Sequence, residues 1–307
     1  MRSLVTGAAG FVGQHLISHL RECGDEVLAT DLLMPRSNLG CSAQMLDICD
    51  PDACAKVLNS FKPEVIYHLA GMAFVPDAEA NFEKALRANV LGTSIIYRMC
   101  HLLELRCKIV LISSAEVYGV IQAQDLPITE LTPLRPMNNY SLSKAMGELV
   151  AARYERTGCP RSVIIRPFNH IGPGQNIKFV SSAFAAQLAR IAKGKSSNVV
   201  EVGNLEAKRD FCDVRDIVRA YRLAAENGEG VYNLCSGQAV AIQSLLDQLI
   251  EISKTKVKIV QNPDRMRGPE IPVLYGSYEK AQRELGWTPR YSLAESLSDI
   301  FNYWMEQ

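Results

Sequence analysis

The stretch Thr6-Gly7-Ala8-Ala9-Gly10-Phe11-Val12-Gly13 decides the fold. Its glycines follow a short apolar run, Leu4-Val5, and precede His15-Leu16-Ile17-Ser18-His19-Leu20, whose apolar spacing is helical. The predicted context is strand, tight turn, helix. Glycine gives such a turn access to positive φ and lets a ligand approach the backbone closely. The start of the following helix offers unpaired N–H groups and a positive dipole end, which suit a pyrophosphate. Glycine spacing alone is also compatible with a plain turn, so the flanks matter. About 20 residues on, Val27-Leu28-Ala29-Thr30-Asp31 reads as a second strand ending in a carboxylate. A carboxylate there accepts hydrogen bonds from ribose hydroxyls and repels a 2′-phosphate. Asp31 thus favours NAD(H) over NADP(H), Arg36 keeps the phosphate form open, and a simple loop start is the alternative.

The chain has 307 residues, enough for one large domain or two closely packed ones. It is 48% hydrophobic and 21% charged, as ordinary globular proteins are. Lys+Arg and Asp+Glu number 33 each, and this balance argues against nucleic acid as a partner. No apolar run approaches the roughly 20 residues that span a bilayer. No secretory leader precedes the first strand, and the nine cysteines are scattered without metal-like spacing, so reduced thiols in the cytoplasm and no metal site are expected.

Strands are expected at Arg2–Val5, Glu26–Thr30, Val65–His68, Lys108–Ser113 and Ser162–Arg166. Helices are expected at about Gly13–Cys23, Asp50–Phe61, Phe82–Leu103 and Tyr140–Thr157. This alternation implies an α/β fold with a doubly wound parallel sheet. Beyond residue 167 the pattern loosens. A helix near Ser181–Lys193 and short strands near Val199–Val202 and Val231–Leu234 suggest a smaller α/β lobe, while a helix at Val214–Asn227 returns to the first. The expected division is residues 1–166 for the dinucleotide, with return of about 208–228, and 167–307 mainly for substrate.

The chemistry is read from Tyr140-Ser141-Leu142-Ser143-Lys144. Positions i and i+4 of a helix share a face. An ammonium one turn from a phenol is expected to lower the phenol's pKa and make a general acid/base. A surface pair is the alternative. Ser113-Ser114-Ala115-Glu116-Val117-Tyr118-Gly119 follows an apolar strand 26 residues earlier, and a strand-end hydroxyl can bind the same substrate oxygen. Of the two serines, Ser114 is preferred.

Taken in order, TGAAGFVG, Asp31, His68-Leu69-Ala70-Gly71, SSAEVYG and YSLSK resemble the extended short-chain dehydrogenase/reductase family across essentially the whole chain. The resemblance implies a Rossmann-like lobe holding NAD(H) or NADP(H), and a smaller lobe holding a nucleotide sugar. It implies cofactor contacts from Gly7, Gly10, Phe11, Val12, Gly13, Asp31, Asp47, Ile48, Leu69, Ala70, Gly71, Ser113, Tyr140, Lys144 and Pro167, with Asn89 as a core support. It also implies a homodimer through Phe82–Leu103 and Tyr140–Thr157, while the lack of a spanning apolar run predicts no membrane partner.

Two stretches narrow the reaction. Arg166-Pro167-Phe168-Asn169-His170-Ile171-Gly172-Pro173-Gly174-Gln175 and Arg209-Asp210-Phe211-Cys212-Asp213 resemble reductases of a GDP-linked 4-keto-6-deoxyhexose, whose product would be GDP-rhamnose or a stereoisomer. Tyr140 would donate the proton, Lys144 tune it and Ser114 orient the carbonyl. Asn169, Val180, Asn204, Arg209, Arg267 and Glu270 are candidate substrate contacts, since arginine forks match phosphate oxygens. Ala115-Glu116 stands where 4,6-dehydratases commonly carry two acids, so Glu116 keeps a dehydratase open, with a backbone-binding loop residue as its alternative. An epimerase and a non-catalytic dinucleotide sensor are further alternatives. His170 is assigned a hydrogen-bonding role.

Overall fold

The computed structural model describes residues 1–34, 39–266 and 271–307. The first half alternates strand and helix: β1 (Arg2–Thr6), α1 (Phe11–Glu22), β2 (Glu26–Asp31), β3 (Ser42–Met45), α2 (Pro51–Phe61) and β4 (Val65–His68). Next come α3 (Val75–Ala80), α4 (Phe82–Leu86), a π-helical segment (Arg87–Gly92), α5 (Thr93–Leu102), β5 (Lys108–Ile112), a 3-10 turn (Ala115–Tyr118), α6 (Asn139–Glu155) and β6 (Arg161–Pro167). The second half holds β7 (Asn169–Ile171), α7 (Val180–Ala192), β8 (Val199–Val202), β9 (Lys208–Arg209), β10 (Phe211–Asp213), α8 (Val214–Asn227) and β11 (Gly230–Leu234). It closes with β12 (Val240–Ala241), α9 (Ile242–Ser253), β13 (Lys258–Gln261), β14 (Val273–Leu274), α10 (Glu279–Leu285) and α11 (Leu293–Glu306).

Among the described residues, seven strands form the main sheet in the order β11-β6-β5-β4-β1-β2-β3. Every pairing in it is parallel. Its central strands bury both faces, which explains their continuous apolar runs. One face packs against α1 and α8 through Leu16, Ile17, Leu20, Ile217 and Tyr221. The other packs against α2, α5 and α6 through Val57, Leu58, Ile96, Tyr97 and Ala151. The winding reverses between β1 and β4, and ligands of such sheets bind at the carboxyl ends of the strands beside that reversal. A further core, with Phe184, Leu188, Leu245 and Ile300, joins α7, α9 and α11.

Three expectations are corrected. Gly230–Leu234 is not part of the smaller lobe: it pairs in parallel with β6 at the edge of the main sheet. The strand Ser42–Met45 was not foreseen, since SAQM has little apolar character. Phe82–Leu103 is not one regular helix, because Arg87–Gly92 follows π geometry between α4 and α5. No helix among the described residues is long and apolar enough to cross a membrane.

Candidate active site

The glycine turn is built for close approach. Gly7 has φ +74°, and a Cβ there would lie 2.7 Å from the Ala70 nitrogen and 2.8 Å from the Leu69 carbonyl carbon. A Cβ on Gly13 would lie 2.5 Å from the Gly7 oxygen, so the first turn of α1 presses against the loop. Gly10 caps α1 with extended backbone and no side-chain hydrogen bond. The contrast with α2 is informative. There Asp50 accepts from the N–H groups of Asp52 and Ala53, at 3.0 Å each, and so closes that helix start. At α1 the helix start is left to backbone and ligand. This glycine cradle, which side chains would fill, fits a dinucleotide pyrophosphate.

Around the cradle, Asp31 ends β2 and accepts a 2.9 Å hydrogen bond from the Ala9 N–H, inside the turn itself. Asp47 accepts from the Cys49 N–H at 2.8 Å and faces Arg87 at 3.5 Å. Ile48 is buried against Gly92. Leu69, Ala70 and Gly71 follow β4, and the Ala70 N–H donates to Thr6 Oγ1 at 3.3 Å. Phe11 and Val12 are half-buried in the first turn of α1. Arg36 lies outside the described residues.

Tyr140 and Lys144 sit on α6, whose start is fixed one residue before the tyrosine. Asn138 Oδ1 accepts from the Ser141 N–H at 2.7 Å, and Ser141 Oγ accepts from the Asn138 N–H at 3.2 Å. Ser114 lies at the end of β5, where its Oγ accepts from the Glu116 N–H at 3.2 Å and begins the 3-10 turn. The Ser114 hydroxyl and the Glu116 charge both act on the Tyr140 phenol, the first lowering its pKa and the second raising it. The structure thus sets Ser114 and Glu116 by Tyr140, with Lys144 one turn further along α6. Lys144 Nζ donates to the Ile112 carbonyl at 2.9 Å.

The electrostatics depart from the sequence reading. Tyr140 is not lowered toward neutral pH: burial pushes it up to about 12, the Ser114 hydrogen bond opposes this, and Glu116 adds to it. Burial also lowers Lys144 to about 8, against the favourable charge of Glu148. The site therefore holds a firmly protonated phenol beside an easily deprotonated ammonium.

Behind the pair lies a polar network that spacing alone did not reveal. Thr6 Oγ1 and His68 Nδ1 are 2.9 Å apart, and His68 Nε2 is 3.0 Å from Thr93 Oγ1. Burial holds His68 down at about 3, with the Lys144 charge adding to the effect. Asn89, in the π segment, donates to Ser143 Oγ at 2.8 Å and accepts from the Met72 N–H at 2.8 Å. It thereby ties the Gly71 loop to the helix turn between Tyr140 and Lys144, the core support expected of it. Ser113 is buried and donates to Glu148 Oε1 at 2.5 Å. A cavity of about 10 Å³, room for about one water, is lined by His68, Asn89, Ser113 and Lys144 among others.

The substrate candidates spread over the second half. Pro167 is buried at the end of β6, and Asn169 opens β7. β7 meets the start of α1. The His170 ring stacks on Phe11 with centroids 6.2 Å apart and planes at 5°, and its Nδ1 lies 3.1 Å from the Phe168 carbonyl. Val180 begins α7. Asn204 Oδ1 accepts from the Glu206 N–H at 3.0 Å. Arg209 ends β9, and its Nη1 donates to the carbonyls of Ile271 at 2.7 Å and Lys208 at 2.9 Å. Arg267 and Glu270 lie outside the described residues.

Comparison with known proteins agrees with this geometry. The family described as GDP-mannose 4,6 dehydratase matches residues 4–300. The chain is 35% identical to a GDP-6-deoxy-D-mannose reductase of Pseudomonas aeruginosa, over 99% of this chain and 97% of the relative. It is 32% identical to a GDP-6-deoxy-D-talose 4-dehydrogenase of Aggregatibacter actinomycetemcomitans, over 97% and 95%. The solved structure of RMD from Pseudomonas aeruginosa complexed with NADPH superposes with a TM-score of 0.87, at 32% identity, over 100% of this chain and 99% of that one. The glycine cradle, the Ser114–Tyr140–Lys144 arrangement and these likenesses agree: the chain belongs to the GDP-mannose 4,6-dehydratase-like branch of the short-chain dehydrogenase/reductase family.

Proposed function

We propose that the chain is an NAD(P)H-dependent reductase of the 4-keto group of a GDP-linked 4-keto-6-deoxyhexose, giving GDP-rhamnose or a stereoisomer. The observation that carries this reading is the placement of Tyr140 and Lys144 one turn apart on α6, with Lys144 anchored on the Ile112 carbonyl at the end of β5 and Ser114 in the turn that follows it. The glycine turn from Gly7 to Gly13 would hold the pyrophosphate, and Asp31 the adenosine ribose. The reduced nicotinamide, when bound, supplies the hydride.

The chain's own groups do the rest. A phenol raised to about 12 stays protonated at neutral pH and is a donor rather than a base. Tyr140 gives its proton to the sugar carbonyl oxygen as negative charge develops there, and Ser114 donates a second hydrogen bond that orients the same oxygen. Lys144, anchored on the Ile112 carbonyl, stabilises the phenolate left behind. Residues 167–307, apart from α8 and β11 on the main sheet, would form the substrate lobe, where Asn169, Val180, Asn204 and Arg209, with Arg267 and Glu270, would hold the nucleoside diphosphate. The relatives acting on GDP-linked 6-deoxy sugars support the guanine nucleotide. The reading extends to a cytoplasmic homodimer formed by the helices carrying Leu91, Leu102, Leu142 and Leu149, all exposed.

The test incubates the protein with GDP-4-keto-6-deoxymannose and either NADH or NADPH. Stoichiometric oxidation of the cofactor, with a 6-deoxyhexose product assigned by proton NMR, is expected. Glu116 beside Tyr140 makes a dehydratase the competing outcome. Formation of the keto sugar from GDP-mannose without net cofactor turnover, and no oxidation of NAD(P)H with the keto sugar, would overturn the reductase.

A further inference from the structure

One turn beyond Lys144, the same face of α6 carries Glu148, so Tyr140, Lys144 and Glu148 stand at i, i+4 and i+8. Glu148 is buried, and none of the roles derived above requires a carboxylate there. Its oxygens are fully engaged. Oε2 accepts from Arg166 Nη2 at 2.6 Å, and Oε1 accepts from Arg166 Nε at 3.0 Å and from the Ser113 hydroxyl at 2.5 Å. Arg166 is the penultimate residue of β6, and its side chain is as buried as that of its partner. Its Nη1 donates to the Tyr118 hydroxyl at 3.0 Å, and the guanidinium lies 5.0 Å from the Tyr118 ring centroid. Tyr118 in turn donates to Asn233 Oδ1 on β11 at 2.6 Å.

The chain of bonds encloses the catalytic turn. Ser114 lies between Ser113, bonded to Glu148, and Tyr118, bonded to Arg166. Glu148 is also the charged group that favours the protonated form of Lys144. A buried ion pair is expensive to assemble and adds little net stability over apolar packing, so its retention calls for another role.

We propose that Glu148 is a positioning residue of the reaction: with Arg166 and Ser113 it fixes the strand end and 3-10 turn that present Ser114, and it holds the Lys144 ammonium in register with Tyr140. The groups facing Lys144 from each packed element are consistent with this. β4 presents His68, which burial keeps neutral; the π segment presents Asn89; β5 presents the Ile112 carbonyl; and Glu148 is the carboxylate on α6 itself. Removing the carboxylate leaves the ammonium with neutral dipoles and, unless Arg166 is also replaced, an unpaired guanidinium behind them.

The inference rests on the reductase reading, so the test has one arm that needs no turnover. Protein labelled with carbon-13 at lysine Cε is titrated by NMR, with the Lys144 signal assigned through Lys144→Arg. In Glu148→Gln the Lys144 titration is expected to move to lower pH by at least half a unit, and Glu148→Asp to restore most of it. If Arg166, left unpaired, prevents Glu148→Gln from folding, the double variant Glu148→Gln/Arg166→Gln carries the same titration with no charge stranded. In the second arm Ser113→Ala, which keeps the ion pair, is expected to lose at least threefold in kcat with KM for the keto sugar within twofold. A wild type inactive on every keto sugar refutes the reductase and leaves the titration to decide on Glu148. An unmoved Lys144 titration in a folded variant without the carboxylate, or a wild-type kcat in Ser113→Ala, overturns the positioning role.

Discussion

Gly7→Ala isolates the close approach of the cradle. Two costs combine at this position. A side chain at φ +74° costs about 1–2 kcal/mol through its clash with the local backbone. The added Cβ also meets backbone atoms of Leu69 and Ala70 at 2.7–2.9 Å, where ordinary carbon contacts sit at roughly 3.5–4.0 Å. Opening that gap forces the β4 loop away from β1, at about 1–3 kcal/mol by analogy with overpacked cores. The total is about 2–5 kcal/mol. With an unfolding entropy of about 2.1 cal/mol/K per residue, a chain of 307 residues shifts its melting temperature by about 1.5 °C per kcal/mol. The expected loss is therefore about 3–8 °C by calorimetry.

Gly24→Ala is the internal control. Gly24 has φ +79° but nothing within 4 Å of the added Cβ. It should suffer only the first cost, about 1–2 kcal/mol, and bind NADH as the wild type does. Gly7→Ala should also bind NADH at least tenfold more weakly, read by fluorescence titration, because the loop that would line the dinucleotide has moved. Equal melting temperatures and equal NADH affinities for the two variants would refute the steric account of the cradle.

Tyr140→Phe should retain the wild-type melting temperature and cofactor affinity while kcat falls by about 10²–10⁴, the usual contribution of a placed general acid; near-native turnover would remove Tyr140 from the role of donor. Asp31→Ser should lose the Ala9 hydrogen bond and the repulsion of a 2′-phosphate, so the ratio of kcat/KM for NADPH over NADH should rise at least tenfold; an unchanged ratio would show that Asp31 does not read the ribose. His68 gives a pH dependence. Its folded pKa is depressed to about 3, so below its ordinary value of 6.5 the unfolded chain binds the extra proton, and stability falls as the pH drops from 6.5 toward 3. Urea denaturation should show a His68 contribution of up to about 1.4 kcal/mol per pH unit in that window, and His68→Gln should flatten it; a variant with the wild-type slope would contradict the buried neutral imidazole.

The parts of the site legible in sequence are those set by local spacing. The glycine turn, the carboxylate ending β2 and the i, i+4 pair on α6 all lie within single strand–turn–helix units, so periodicity placed them. Glu148 carried a usable local signal, another four-residue step beyond Lys144, but its partners Ser113 and Arg166 come from two different strands and only the folded sheet joins them. The ionisation of Tyr140 was misread for a similar reason: the spacing showed the lysine but not the burial that outweighs it. β11 was assigned to the wrong sheet because a short apolar strand reads alike beside any neighbour. The π segment leaves no mark in apolar spacing, since it widens a helix that is already predicted. Arg209 was chosen for its charge alone, and spacing gave no sign that two backbone carbonyls hold its guanidinium.

The place of β11 in the sheet has a consequence for how the protein can be divided. After β6 the backbone leaves the sheet for α7 and β8, returns with α8 and β11, departs for α9, returns with α10 and leaves once more with α11. No single cut separates two self-sufficient pieces. A fragment ending at Pro167 would lack the strand that pairs with β6 and the helix whose Val214, Ile217 and Tyr221 cover one face of the sheet. It would expose a bare strand edge and a wide apolar surface, the combination that drives aggregation. Any rearrangement of the core of α7, α9 and α11 against the main sheet must likewise pass through five backbone crossings rather than one tether, which favours small concerted shifts over wide opening.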